Sequence, residues 1–190
     1  LFKSKFLINS KLNFAENLLR QKNKDKAITF ISENGYRNQK SWHEVYNSVC
    51  KIFNFFKNNN IGEKDRVASY LPNITETVEC FLATTALGAI WSSCSPDFGT
   101  SAVIERFSQI KPRILIIVDR YYYNGNEIKV ISRLPKIISS VKSIKKVIII
   151  NYPGKKFLKF KKIKNVKLIR WTEISQINKF NIFFKKFDFE

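Results

Sequence analysis

The sequence predicts an α/β fold, a mainly parallel sheet with flanking helices. Three observations point there. Strand-like and helix-like segments alternate along the chain, which implies βαβ crossovers. Ile114 to Val118 and Val147 to Ile150 are short continuous aliphatic runs, the mark of central strands covered on both faces. The 190 residues are 44% hydrophobic and 14% aromatic, enough for one domain with a real core and too apolar for a disordered chain.

In chain order, Ala27 to Lys40 predicts a hairpin turning at Asn34-Gly35. Ser41-Trp42-His43-Glu44 fits a capping box, in which Ser41 and Glu44 satisfy each other's backbone donors. Behind it Trp42, Val45, Val49, Ile52, Phe53 and Phe56 fall on one helical face, and Asn58-Asn59-Asn60 with Gly62 ends the helix. Arg66 to Leu71 alternates as a strand does. Asn73, with Glu76 three residues on, predicts the cap of a second helix from about Ile74 to Gly88, apolar on most sides and therefore buried. A strand at Ala89 to Ser93 follows, then a helix at Ser101 to Ile110 stopped by Lys111-Pro112, with Asp97 or Thr100 placed to cap it. A further helix is expected at about Ile128 to Ser140. Lys155 to Lys167 alternates lysine with apolar residues, which suits a strand or loop with one solvated face. There is no internal repeat and no linker that would split the chain.

The formal net charge is +19, which raises a basic module for nucleic acid or anionic lipid. The lysines are spread along the chain, however, and Lys, Asn, Ile, Phe and Tyr all have A/T-rich codons. A lysine-heavy surface then needs no polyanion, and no RNP-type aromatic motif or helix-turn-helix signal accompanies it. No specific nucleic-acid partner is expected. Cys50, Cys80 and Cys94 are odd in number, lack a CxxC and share the chain with one histidine, His43, so no metal site is expected. Free thiols in a reducing cytoplasm are the expectation. Lys3 and Lys5 break the apolar start, arguing against a signal peptide, and fully aliphatic runs near five residues are too short to span a membrane. Asn73-Ile74-Thr75 matches a glycosylation sequon and is read as chance plus helix capping. The chain begins at Leu1 and contains no methionine, so a fragment or a processed piece is expected.

The stretch GAIWSSCSPDFGTSAV, Gly88 to Val103, invites a kinase reading through Asp97-Phe98-Gly99. That reading fails: no His-Arg-Asp loop precedes it, no GxGxxG occurs, and His43 lies within Trp-His-Glu-Val. No GxSxG elbow or Walker A loop occurs either. Cys94 could be a thiolate near a helix start, but a small residue ending a strand is the better account. What remains is a strand end, a polar turn and a helix. In a parallel sheet, ligands sit beyond the carboxyl ends of strands. Ser92 to Gly99 would hold that rim after one strand and Tyr121 to Asn126 after another. If those strands are neighbours, the two loops make two sides of one cleft.

KLNFAENLLR (Lys11 to Arg20), DRVASYLPNITETVECFLATTALGAIWSSCSPDFG (Asp65 to Gly99), ERFSQIKPRILIIVD (Glu105 to Asp119) and YNG (Tyr123 to Gly125) resemble the acetoacetyl-CoA synthetase family of adenylate-forming acyl-CoA synthetases. The resemblance runs from about residue 6 to 152. IWSSCSPDFG is its most specific part; acetyl-CoA synthetases carry a glycine-rich stretch there. SWHEVY is similar to the first core motif of the superfamily and ALGAIW to the second.

The resemblance implies a two-step reaction. ATP and acetoacetate give an acyl-adenylate and pyrophosphate with Mg2+ assistance, and CoA then displaces AMP. It implies that residues 1–190 are a partial N-terminal domain, truncated at both ends. The phosphate loop and the ATP-ribose, hinge and catalytic-lysine motifs lie beyond the matched region, which Phe187 to Glu190 would approach. No catalytic residue is therefore assigned, and the chain is expected to be inactive alone, to bind no cofactor tightly and to expose a sheet edge that favours aggregation. By resemblance to the acetyl-CoA synthetase arrangement, Ser95, Pro96 and Asp97 lie where the pantetheine of CoA passes, and Tyr123, Asn124, Gly125 and Asn126 where its nucleotide and 3′-phosphate are held. The family tends to carry lysine where this chain has Asn126; Arg120 or Lys129 are candidates to replace that charge. Trp91 and Phe98 are read as packing. The rivals are an acetyl- or propionyl-specific synthetase and the basic binding module.

Overall fold

The structure, a computed structural model, describes residues 7–178 and 181–188. Lys3, Lys5, Phe189 and Glu190, which entered the readings of the two chain ends, lie outside the described residues. The chain runs β1 (Lys11–Leu12), α1 (Phe14–Leu18), β2 (Lys26–Ile31), β3 (Arg37–Ser41), α2 (Trp42–Asn58), β4 (Arg66–Tyr70), α3 (Thr75–Ala86), β5 (Ile90–Cys94) and α4 (Thr100–Ile110). It continues through β6 (Ile114–Val118), β7 (Tyr121–Tyr123), β8 (Asn126–Ile128), a 3-10 turn (Val130–Arg133), α5 (Leu134–Ser140), β9 (Lys146–Ile150), β10 (Lys167–Arg170), α6 (Trp171–Ser175) and β11 (Phe187–Asp188).

The aliphatic runs do what continuous burial requires. β6 is buried at every position and β9 at all but its first, and the two pair in parallel with Leu115 opposite Val147 and Ile117 opposite Ile149. They lie inside a five-stranded sheet of order β10-β9-β6-β4-β5 whose four pairings are all parallel. The expected α/β class holds, and the carboxyl ends of β4, β5, β6 and β9 reach one rim. Helix α2 presses Val45, Val49, Ile52, Phe53 and Phe56 inward, and its capping box is formed, with Ser41 N–H donating to Glu44 Oε2 at 2.7 Å and Glu44 N–H to Ser41 Oγ at 3.3 Å. Trp42 sits half-buried at its start. The Asn34-Gly35 hairpin is β2 with β3, antiparallel.

Several elements differ from expectation for identifiable reasons. β4 does not alternate: Val67 to Tyr70 are all buried, because β5 and β6 flank it and helices cover it. Asn73 does not cap α3. Ile74 takes the cap position without a side-chain bond, since Ile74 N–H and Thr77 Oγ1 both donate to the Pro72 carbonyl and the tight turn delays the helix. Neither Asp97 nor Thr100 caps α4, whose N-cap is Gly99. The helix expected from Ile128 is split. Ile128 closes β8, and the α-helix starts at Leu134 with Pro135 in its first turn, where a missing N–H costs nothing. Residues 155–166 form no regular element; their lysines are exposed while Phe157, Phe160, Ile163 and Val166 pack on the core, as a loop with one solvated face does. Among the described residues no helix is long and apolar enough to cross a membrane.

Candidate functional site

Beyond Cys94 the chain turns at once. Pro96 fixes its own φ, and Phe98 N–H closes the turn on the Ser95 carbonyl at 3.1 Å. Ser95 Oγ donates to Asp97 Oδ2 at 2.6 Å and accepts from Asp97 N–H at 3.4 Å. Asp97, Phe98 and Gly99 face outward, while Pro96 is buried. The turn rests on Tyr70, the fully buried last residue of β4, whose hydroxyl donates to the Phe98 carbonyl at 2.6 Å. Burial pushes the Tyr70 phenol above its ordinary pKa, so it remains a donor.

The second rim segment is a hairpin rather than a plain loop. β7 and β8 pair with Tyr123 opposite Asn126, and Asn124 and Gly125 turn with φ of 49° and 73°. Two positive φ values are what a tight type I′ hairpin requires, so the Asn-Gly dipeptide between two short strands was its signal. Gly125 N–H donates to Glu33 Oε2 at 3.2 Å, which leans the tip toward the β2–β3 turn. Asn126 Nδ2 closes back on the Asn124 carbonyl at 3.0 Å. The strands that carry the two segments, β5 and β6, are not neighbours, because β4 lies between them. The segments still meet at the base of the hairpin, where Tyr121 donates to Asp97.

Arg120 is committed inward. It is 8% exposed, and its guanidinium reaches Glu127 Oε2 at 3.1 Å, Asp119 Oδ2 at 3.4 Å and the Lys156 carbonyl at 2.7 Å. Lys129, just past β8, is exposed. Asp119 went unread in the sequence. Fully buried after the aliphatic run, it accepts Tyr152 N–H at 2.8 Å and Leu158 N–H at 3.1 Å, so it pins the following loop to the rim. A carboxylate directly after ILIIV was the available signal. Glu127 lies below its ordinary pKa through the Tyr122 hydroxyl at 2.8 Å and Arg120.

Cys94 is buried, and burial raises its thiol, so it ends β5 as a packed thiol rather than a thiolate. His43 is exposed and bonds Asn47 at 2.9 Å. Trp91 packs on Phe81 with ring centroids 6.2 Å apart, as a packing role requires. Phe98 departs from that role: it is 40% exposed, with the Arg106 guanidinium over its ring at 4.9 Å. Among the described residues no three His, Cys, Asp or Glu side chains are grouped to hold a metal. A ligand can reach the rim backbone, since a Cβ built on Gly99 or Gly125 would meet nothing within 4 Å.

The family described as AMP-binding enzyme matches residues 14–177. The chain is 39% identical over 151 residues to the acetoacetyl-coenzyme A synthetase of Rhizobium meliloti (strain 1021), covering 80% of this chain and 23% of that protein. It is 39% identical over 145 residues to the acetoacetyl-CoA synthetase of Xenopus tropicalis, covering 75% and 22%. The solved acetoacetyl-CoA synthetase from Streptomyces lividans superposes with a TM-score of 0.83 at 27% identity, over 94% of this chain and 27% of that one. The chain thus spans under a quarter of the length of these curated relatives.

Proposed function

The chain belongs to the AMP-binding enzyme family, and from that premise we propose that it is part of the N-terminal domain of a cytoplasmic acetoacetate–CoA ligase. The whole protein would join acetoacetate to CoA at the expense of ATP, releasing AMP and pyrophosphate through an acyl-adenylate. Adenylation replaces a poor leaving oxygen on the acid by a good one. Mg2+ would supply charge neutralisation at the phosphates. The sequence carries no Walker A loop and no GxSxG elbow, so we assign the chemistry to the rest of the protein. The 190 residues alone are expected to be inactive.

This chain's contribution is a CoA-facing rim. Ser95, Pro96 and Asp97 would border the pantetheine arm, and Tyr123, Asn124, Gly125 and Asn126 the nucleotide. Lys129 supplies the exposed cation near the second segment, because Arg120 is spent internally. The observation that carries the reading is the placement of Ile90 to Gly99: an edge strand and a clamped turn on the rim where parallel sheets hold ligands. The names of the relatives at 39% identity support the acyl group.

The test is AMP release by the intact gene product with ATP, CoA and either acetoacetate, acetate or propionate. Release that depends on acetoacetate supports the proposal. Preference for acetate or propionate replaces the acyl assignment, and no release with any acid removes the ligase reading. A basic nucleic-acid module would instead show sequence-selective binding that survives moderate salt.

A further inference from the structure

Arg133 closes the 3-10 turn and reaches back to the Ser95–Gly99 turn, 37 residues away at Pro96. Its Nη1 donates to the Pro96 carbonyl at 2.8 Å, to the Phe98 carbonyl at 3.2 Å and to the Tyr70 hydroxyl. One nitrogen thus serves three acceptors, so its protons are shared. The guanidinium carbon lies 5.8 Å from the Tyr70 ring centroid, within cation–π reach. Tyr70 has one hydroxyl proton, which it gives to the Phe98 carbonyl at 2.6 Å, with the Pro96 carbonyl farther off at 3.3 Å. Both inward carbonyls therefore lie within reach of Arg133 and Tyr70, which share three protons between them. On the far side Tyr121 holds Asp97 at 2.9 Å. The turn is gripped by its inward carbonyls, while Asp97, Phe98 and Gly99 stay exposed on its outer side.

A cation paired with backbone carbonyls, rather than with a carboxylate, orients peptide groups. We propose that Arg133 is a positioning residue for CoA. By turning the carbonyls of Pro96 and Phe98 inward, it sets the Ser95–Gly99 backbone in the conformation that meets the pantetheine arm, without touching the ligand. The inference rests on the reading that this turn faces CoA. Lysine keeps the charge but not the guanidinium that lies beside the Tyr70 ring, so it reproduces the arrangement only in part.

The experiment is calorimetric titration of CoA, and separately of ATP, into the intact gene product and its Arg133→Met, Arg133→Lys and Tyr121→Phe variants. Hydrogen exchange at Asp97 and Phe98 reports the turn itself. Arg133→Met is expected to weaken CoA about tenfold or more, the scale of hydrogen bonds to a charged group. ATP affinity should fall far less, exchange in the turn should quicken, and Arg133→Lys should lie between. Unchanged CoA affinity in Arg133→Met overturns the proposal, and so does an equal loss of ATP and CoA affinity, which is what a merely structural residue would give. If Arg133→Met does not fold, Arg133→Lys decides: unchanged CoA affinity overturns it, and a CoA-selective loss with faster exchange in the turn supports it. A wild-type protein that binds no CoA overturns it as well. If CoA affinity depends on Arg133 but acetoacetate drives no AMP release, the positioning role stands and the acyl assignment falls.

Discussion

The hydroxyl of Tyr121 donates to the carboxylate of Asp97 at 2.9 Å, tying the segment after β6 to the turn after β5 although β4 separates those strands. A 5%-exposed phenol facing an anion is held in its neutral form, and burial first, then Asp97, push the Tyr121 pKa to about 12.

The titration has a definite sign. The folded chain keeps the Tyr121 proton where an unfolded tyrosine, near 10, has lost it, so this contribution to stability is whole below about 10 and is lost as pH rises toward about 12. Ultraviolet titration of the seven tyrosines should lose its latest component, near the top of the range, in Tyr121→Phe. Superimposable curves would show that Tyr121 does not hold that proton.

Lys40 bonds Glu79 Oε1 at 2.6 Å, with the glutamate side chain fully buried and the lysine 20% exposed. Burial raises the Glu79 carboxyl to about 7 despite Lys40, so the folded state holds an extra proton above about 4.5, and stability falls as pH rises through that window. Lys40→Met leaves a buried carboxylate unpaired. The expected cost in urea unfolding is about 3 kcal/mol or more at pH 8, and clearly less at pH 5, where Glu79 is protonated. A cost independent of pH would show that Glu79 does not titrate there.

Gly88 follows α3 at φ +72°, and a Cβ there would lie 2.0 Å from the Phe187 ring. Gly88→Ala therefore meets both backbone strain and a clash, and should destabilise by about 1–3 kcal/mol. Phe187→Ala in the same chain should recover the clash but not the strain. Thermal melts of the single and double variants separate the two, and an unchanged midpoint in Gly88→Ala would place Phe187 elsewhere in solution.

All three cysteines are buried as free thiols, and burial raises each, Cys80 most strongly. A disulfide reagent at pH 8 should find no fast-reacting thiol in the native protein and three after unfolding. A rapid native equivalent, lost in Cys94→Ser, would mark Cys94 as a thiolate.

Where a signal was local, it was legible. The Ser41–Glu44 box, the Asn34-Gly35 hairpin and the strands at Ile114 and Val147 were all readable, because capping, turn chemistry and continuous burial act over a few residues. Errors came where distant neighbours override local pattern. The polar Ser69 in β4 reads as an alternating face, yet it is fully buried because β4 is a central strand with helices packed over the sheet. Asp97 reads as a cap for α4, yet Ser95 and Tyr121 take its carboxylate.

The candidate site divides in the same way. The chain's residue order by itself determined the class of fold, the position of the Ser95–Gly99 turn at a strand end and the family resemblance, all properties of contiguous segments. Tertiary structure alone decided that β4 lies between β5 and β6, that Arg120 turns inward and that Arg133 grips the turn. Those outcomes join residues separated in sequence, through hydrogen bonds whose geometry exists only once the parallel sheet has stacked its strands and brought their carboxyl ends to one rim.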